Sequence, residues 1–280
     1  MKVLLVGGMS ALGKVLIPVL GDETEVITAG RSNCDIHMDL GEVMNPIRLP
    51  IGIDVVIHMA AHFGGKTSEE IVEAEKVNVI GTLRLCQASV QTGVKHFVFI
   101  SSIYSQMHPQ SDFYSIYALS KKHAEEAVLF FCNNHQMHLT ILRSAQLYGS
   151  TNDFGRHQPF LYAIADKAEK GEDIVLNGKN DALRNFLHAD DLAQIVLRVV
   201  LKTVTGIYSC QFPTNTSISA IAKAAISAFK STGKVSFLEG KEDIKNNVFL
   251  IEDTLYREIN VYPRIDIDEG MRMIARNRIQ

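Results

Sequence analysis

An α/β fold, wound in both directions around a parallel sheet, is predicted for this chain of 280 residues on three observations. Short apolar runs alternate with helix-length stretches through the first ~145 residues, the pattern of βαβ units. A glycine-rich turn, Gly7-Gly8-Met9-Ser10-Ala11-Leu12-Gly13, joins the first apolar run to the first helical stretch. Hydrophobic residues make up 46% of the chain and charged residues 21%, enough apolar surface for a large core.

Each element follows from its own residues. KVLLV over Lys2–Val6 reads as a short buried strand, and Ala11–Leu20 as a helix. EVITA over Glu25–Ala29 is a second strand, Asp35–Met38 a weaker one, and DVVIHM over Asp54–Met59 another. Ile71–Thr92 reads as one helix. HFVFI over His96–Ile100 is a strand ending in Ser101 and Ser102. Tyr117–Asn133 is helical, and LTILR over Leu139–Arg143 is a strand. After Gly149 the texture changes. Loops rich in Gly, Asn and Asp alternate with helical stretches at Phe160–Lys170, Ala189–Val200 and Ile218–Lys230. The expectation is a Rossmann-type doubly wound parallel sheet over residues 1–150. Residues 151–280 would form mainly a small C-terminal substrate-binding lobe, interleaved with the first domain and closing over the carboxyl edge of its sheet.

The formal net charge of −3, from 28 basic and 31 acidic residues, argues against non-specific nucleic-acid or anionic-membrane partners. Cys34, Cys86, Cys132 and Cys210 are widely spaced and form no CxxC pair, which fits reduced thiols in a cytoplasm. The N-terminal apolar run is too short for a signal peptide, and no apolar stretch is long enough for a transmembrane helix. A cytoplasmic location is therefore expected. No metal site is expected, because His58 and His188 have no partner at ligand spacing and read as structural histidines.

The turn at Gly7–Gly13 suits a dinucleotide pyrophosphate. Glycine permits a tight turn and close backbone approach, and a helix N-terminus offers free N–H groups and a positive dipole end. Gly7, Ser10, Ala11, Leu12 and Gly13 are the residues expected to bind it. Ser10 stands where the usual spacing has a middle glycine, and its hydroxyl offers a hydrogen bond in return. The second strand runs into Gly30-Arg31-Ser32 instead of ending in an acid that would bind a ribose 2′-hydroxyl. Arg31 suits a 2′-phosphate, so NADP is favoured over NAD.

Tyr117 and Lys121 are a YxxxK pair, and the i, i+4 spacing puts both on one helix face. A phenol of ordinary pKa is a poor acid–base catalyst at neutrality, and a nearby ammonium is expected to lower that pKa. Tyr117 can then exchange a proton with a sugar hydroxyl or ketone while a nicotinamide exchanges the hydride. Ser102, at the carboxyl end of its strand, can polarise the same oxygen, with Ser101 as an alternative.

With these residues in view, the chain resembles the extended short-chain dehydrogenase/reductase family, also called the NAD-dependent epimerase/dehydratase family. The likeness runs through the glycine turn, Asp39-Leu40, VIHMAAH at 56–62, KVNVIGT around Asn78, and YALSK. It continues through LRSAQLYG at 142–149, NGKNDALRNFLHADD at 177–191 and YPRIDIDEGMR at 262–272. The resemblance implies that Asp39 and Leu40 contact the adenine, and that Ala60 and Ala61 line the ribose and nicotinamide side. It implies that Asn78 orders the active-site strand and that Tyr117 and Lys121 also touch the cofactor. Arg184 would contact a substrate diphosphate. Asp190 and Asp191 read as helix caps. Two departures stand out: SSIYS lacks the acid pair of the sugar-nucleotide dehydratases, and Ser144 replaces a usual proline.

The leading expectation is an epimerase or 4-keto reductase of a nucleotide sugar, with Ser102, Tyr117 and Lys121 catalytic. The alternatives are an NADP-dependent reductase of a non-sugar carbonyl and a non-catalytic NADP-binding redox sensor. Retention of the YxxxK pair weighs against the sensor. Val128 and Phe131 read as outward apolar residues of the Tyr117 helix, and the family's habit of pairing such helices implies a homodimer.

Overall fold

The computed structural model describes residues 1–279. These divide into two compact units, each assembled from separate stretches of chain. The first holds Met1–Ser144, Ala193–Ser209 and Thr254–Val261. The second holds Ala145–Leu192, Cys210–Asp253 and the described residues from Tyr262 on.

The first unit is built on strands β1 (Lys2–Val6), β2 (Glu25–Gly30), β3 (Ile36–His37), β4 (Val55–His58), β5 (His96–Ser102) and β6 (His138–Ser144). They pair in parallel in the order β6-β5-β4-β1-β2-β3, and the strand Gly206–Cys210 borders β6. The chain therefore leaves β1 toward β2 and β3, then returns to lay β4 on its other side. That reversal is the point where open α/β sheets bind ligands beyond their strand ends. Helices α1 (Ala11–Gly21), α2 (Ser68–Glu75), α3 (Thr82–Gln91) and α4 (Ile116–His135) complete the crossovers. All seven residues of β5 are buried, as expected for a strand covered on both faces. Leu4, Val56, Phe97, Phe99 and Ile141 of the sheet form one core cluster with Leu85 and Cys86 of α3 and Ala124, Val128 and Cys132 of α4. Burying each large side chain contributes roughly 1.5–3 kcal/mol.

Two details differ from the sequence reading. The single helix expected over Ile71–Thr92 starts earlier, at Ser68, and is interrupted by a π-helical turn, Lys76–Gly81. Thr67 starts it with a capping box, its hydroxyl accepting from the Glu70 N–H while the Glu70 carboxylate returns to the Thr67 N–H. On α4 the outward apolar residues are Leu129 and Phe130, not Val128 and Phe131. Val128 is wholly buried and Phe131 leans on the core, because the row Lys121, Ala124, Val128 and Cys132 is the one facing the sheet.

The second unit contains helices Pro159–Glu169, Ile218–Ala228 and Ile267–Ile279. It also holds three two-stranded ladders whose strands the sequence reading did not assign. Gln146–Tyr148 pairs with Phe186–His188, Ile174–Asn177 with Val235–Leu238, and Leu183–Arg184 with Thr216–Ser217. Asp190 and Asp191 lie inside the first turn of helix Ala189–Lys202 and are not its caps. The His188 ring takes the cap position and accepts the Asp190 N–H at 3.2 Å. Asp191 instead accepts the N–H groups of Arg264 and Ile265 at 3.0 and 2.9 Å. Among the described residues, no helix is long and apolar enough to cross a membrane. None of their His, Cys, Asp and Glu side chains gather in threes around a possible metal position.

Candidate active site

The glycine turn sits at the carboxyl end of β1. Gly7 takes a left-handed φ of 96°, and its N–H donates to Ala29 O at 2.8 Å. A Cβ on Gly13 would stand 2.2 Å from the Gly8 carbonyl oxygen, and one on Gly8 would stand 2.9 Å from the Thr28 side chain. The turn is closed against its own backbone and against β2. Ser10 is the N-cap of α1, its hydroxyl oxygen accepting the Gly13 N–H at 3.1 Å. No acid lies in the first turn of α1, so nothing neutralises the positive end of the helix. Gly13→Ala is expected to cost about 2 kcal/mol or more in a denaturant titration, outweighing the helix-propensity gain. It should also weaken dinucleotide affinity at least about tenfold by forcing the turn open.

The other residues assigned to the cofactor spread around this turn. Ala60 and Ala61 follow β4, and the Ala60 N–H donates to Val6 O at 3.2 Å. Arg31 is exposed at the end of β2, with no hydrogen-bond or ion-pair partner among the described residues. Asp35, an acid the sequence reading passed over, folds back onto β2. Its carboxylate accepts the Thr28 N–H at 2.8 Å and the Thr28 hydroxyl at 2.7 Å, and these bonds lower its pKa. Asp39 is exposed and accepts the Gly41 N–H at 2.9 Å. Leu40 is buried in the core cluster, which leaves only its backbone for contact with a ligand.

Asn78 lies in the middle of the π-helical turn, 2% exposed. Its oxygen accepts the His62 N–H at 2.7 Å, while its amide donates to His62 O at 2.8 Å and to the Ser120 hydroxyl at 2.9 Å. It thus ties the loop after β4 to α4, the helix that carries Tyr117 and Lys121. A second chain runs from Asn78 to His58. Thr82 donates its hydroxyl proton to Asn78 O at 2.7 Å, so it can only accept from His58 Nε2 at 2.8 Å. His58 therefore carries its proton on Nε2, and burial pushes its pKa down to about 3. It is a neutral structural group, stacked on Phe99 at 5.4 Å.

Ser102 ends β5, and Tyr117 opens α4, whose N-cap is Ser115. Ser102 lies close enough to Tyr117 to act on the phenol, lowering its pKa. The Tyr117 ring stacks on Phe63 at 4.9 Å between centroids. Lys121 is 1% exposed. Its ammonium donates to Ile100 O at 3.0 Å and lies 4.6 Å from the Phe99 ring centre and 6.0 Å from that of Tyr117. Ser102, Tyr117 and Lys121 thus come together. The expected acid phenol does not follow: burial pushes the Tyr117 pKa up to about 12, and the influence of Ser102 only partly opposes this. The ammonium is engaged elsewhere, and burial pulls its own pKa down to about 8. Ser101 is not free to replace Ser102, because its hydroxyl is 2.5 Å from Glu125 Oε1. Arg184, in the second unit, is buried and donates to Leu183 O at 2.9 Å and Lys245 O at 2.7 Å.

Sequence reasoning missed Phe63, Tyr104, Glu125 and Arg143. Tyr104 donates its N–H to Ser102 Oγ at 3.3 Å, and its phenol acts electrostatically on Tyr117. Glu125 was legible, since it extends the Tyr117–Lys121 row by one more step of four. Nothing in the sequence signals Phe63 or Arg143, whose roles depend on tertiary placement.

Residues 3–210 match the family model described as the NAD dependent epimerase/dehydratase family. The chain belongs to this family. Relatives of the epimerase/dehydratase chain include CDP-abequose synthase from Salmonella typhimurium, 24% identical over 145 residues, covering 52% of this chain and 47% of the relative. The match thus spans about half the length of that relative. A putative UDP-glucose 4-epimerase from Methanocaldococcus jannaschii is 23% identical over 235 residues, covering 80% of this chain and 76% of that protein. The crystal structure of a Thermus thermophilus UDP-glucose 4-epimerase complexed with NAD superposes with a TM-score of 0.76 at 20% identity, covering 99% of this chain and 98% of that one. It shares the fold of this family member.

Proposed function

We propose that the chain is an NAD(P)-dependent enzyme that epimerises or reduces a nucleotide sugar, using Ser102, Tyr117 and Lys121. The observation that carries this is the placement of Tyr117 and the buried Lys121 ammonium one turn apart on α4, with Ser102 at the end of β5 acting on the Tyr117 phenol. The residues fit a dinucleotide: the glycine turn has no room for Cβ atoms, and the α1 N-terminus has no competing acid. Gly7, Ser10, Ala11, Leu12 and Gly13 would hold the pyrophosphate. Asp39, Leu40, Ala60, Ala61, Asn78, Tyr117 and Lys121 would frame the rest. A bound nicotinamide supplies the hydride donor or acceptor. Arg31, exposed and without a partner among the described residues, supports a preference for NADP through charge-assisted bonds to a 2′-phosphate. The family's description and the NAD-bound relative support NAD, so the direct comparison is of the two affinities.

The chain's own groups then act on a proton. A phenol whose pKa is about 12 rests protonated, ready to donate to a ketone oxygen that Ser102 also polarises. That state suits the reducing direction, which favours a 4-keto reductase or the reductive half of an epimerase. We assign Arg184 to the substrate diphosphate, as an always-charged group suited to phosphate. Exposed Leu129 and Phe130 on α4, with Ile71 and Val72 on α2, support a homodimer.

The test is incubation of the protein with NAD or NADPH and a set of nucleotide sugars and their 4-keto derivatives. A reductase consumes reduced nicotinamide in step with product. An epimerase converts one sugar to its epimer with no net change in nicotinamide absorbance. Arg184→Ala should raise KM at least about tenfold for diphosphate substrates, in line with loss of a charge-assisted contact. Turnover of simple ketones with no discrimination for nucleotide sugars would overturn the reading.

A further inference from the structure

Glu125 is a buried carboxylate that this mechanism leaves idle. It is 4% exposed, on the sheet-facing side of α4 and one turn beyond Lys121. Oε1 accepts the Ser101 hydroxyl at 2.5 Å. Oε2 accepts both Arg143 Nε at 2.9 Å and Nη2 at 2.6 Å. Ser101 and Arg143 are themselves register partners across β5 and β6, and the Ser144 hydroxyl donates to Ser101 O at 3.2 Å. One carboxylate therefore locks α4 to both strands, directly behind the strand end that carries Ser102.

The tie by itself would be a structural staple. Its sign gives it a second role. Lys121 is a buried cation set against a carbonyl oxygen and aromatic rings. The titratable groups that act on it or stand beside it are His58 from β4 and Tyr117 and Glu125 from α4 itself; behind these, Tyr104 from the turn after β5 acts on Tyr117 and Arg143 from β6 pairs with Glu125. His58 is neutral, the Tyr117 phenol is protonated at neutral pH, and Arg143 is a guanidinium cation. His123, further along α4, pairs with Glu75 of α2. Glu125 is the one anion of this set, and Arg143 fixes where that charge stands.

We propose that Glu125 is a positioning residue for the Lys121 ammonium, a buried counter-charge held in place by Arg143 and Ser101. The proposal rests on the assignment of Lys121 to the reaction site, and it adds a group that touches neither substrate nor cofactor. Without the anion, a buried ammonium gives up its proton more readily. Without Arg143, the same anion acts on Lys121 undiluted.

The two substitutions are therefore opposite in sign, which a staple would not produce. The full-length protein, labelled on lysine side chains, is titrated by correlation of the lysine Cε and Nζ resonances. The Lys121 signal is assigned by its loss in Lys121→Met. In Glu125→Gln the Lys121 titration is expected to move down by about one pH unit or more. In Arg143→Met it moves up. Ser101→Ala, which removes a hydrogen bond but no charge, leaves it in place. If Glu125→Gln does not fold, the upward shift in Arg143→Met carries the test. Shifts in the same direction for Glu125→Gln and Arg143→Met, or no shift in either, overturn the proposal. No substrate or cofactor is needed. Opposite shifts in a protein that turns over no nucleotide sugar would defeat the functional reading and leave the pairing intact. Turnover without shifts would do the reverse.

Discussion

Tyr117→Phe is expected to lower turnover of the true substrate by ~10²–10⁴-fold, the usual worth of a positioned acid–base group. Dinucleotide affinity should stay within about threefold, well under 1 kcal/mol. The substitution deletes one oxygen and keeps the ring, so the stack on Phe63 survives. The hydroxyl it removes is the one proton source at the head of α4 that this mechanism uses, and Ser102 acts on it. Because burial holds the phenol protonated up to about pH 12, the loss should be steepest for reduction of a 4-keto sugar. Single-turnover nicotinamide absorbance reads the chemical step directly. A rate within about tenfold of wild type would move the acid–base role away from Tyr117.

Lys121→Met is expected to cost at least ~10²-fold in turnover and, at the same time, to make the protein more stable. Lys121 is 1% exposed, and burial lowers its pKa from 10.5 to about 8. The sign follows from proton counts. Between pH ~8 and ~10.5 the unfolded chain keeps the proton that the folded chain has released, so stability climbs with pH across that window. The shift corresponds to about 3 kcal/mol, and below pH ~8 the whole penalty is present. A methionine of similar length avoids it, although it leaves Ile100 O without its donor. A net gain of ~1–3 kcal/mol at pH 7 is expected. The burial of Tyr117, Tyr162 and Cys210 raises their pKa values and gives the opposite slope at high pH. The informative quantity is therefore the difference in stability between wild type and variant, which should shrink from pH 8 to 10.5. A variant less stable than wild type at pH 7, with no pH dependence in the difference, would contradict this.

Much of the first unit was legible because its signals are local. KVLLV, the glycine turn and HFVFISS each specify their own geometry, and strand alternation with helices dictates a parallel sheet. Tyr117 and Lys121 could be paired from spacing alone, and Ser102 from its place at a strand end. What the sequence hid is what depends on competition between environments. The spacing of Tyr117 and Lys121 suggests an acidified phenol, yet it says nothing of burial, which dominates both groups. Arg143 reads as the last residue of a strand, and only the register of β6 against β5 brings it to Glu125. The short ladders of the second unit, two to four residues long, carry too few side chains for a period to show.

The wide turn at Lys76–Gly81 has a consequence for any residue-by-residue comparison of this helix. A turn closed by i→i+5 bonds holds one residue more than its neighbours, so everything after it is rotated by about 100° relative to a regular helix. Ile71 and Val72 on one side and Leu85, Cys86 and Ala88 on the other cannot be placed on one continuous stripe. The slack has to be taken up at Asn78, as though a single letter had been inserted there. An alignment that puts its one-residue gap in a loop instead would assign inward positions to outward ones for a full ten residues, Thr82–Gln91.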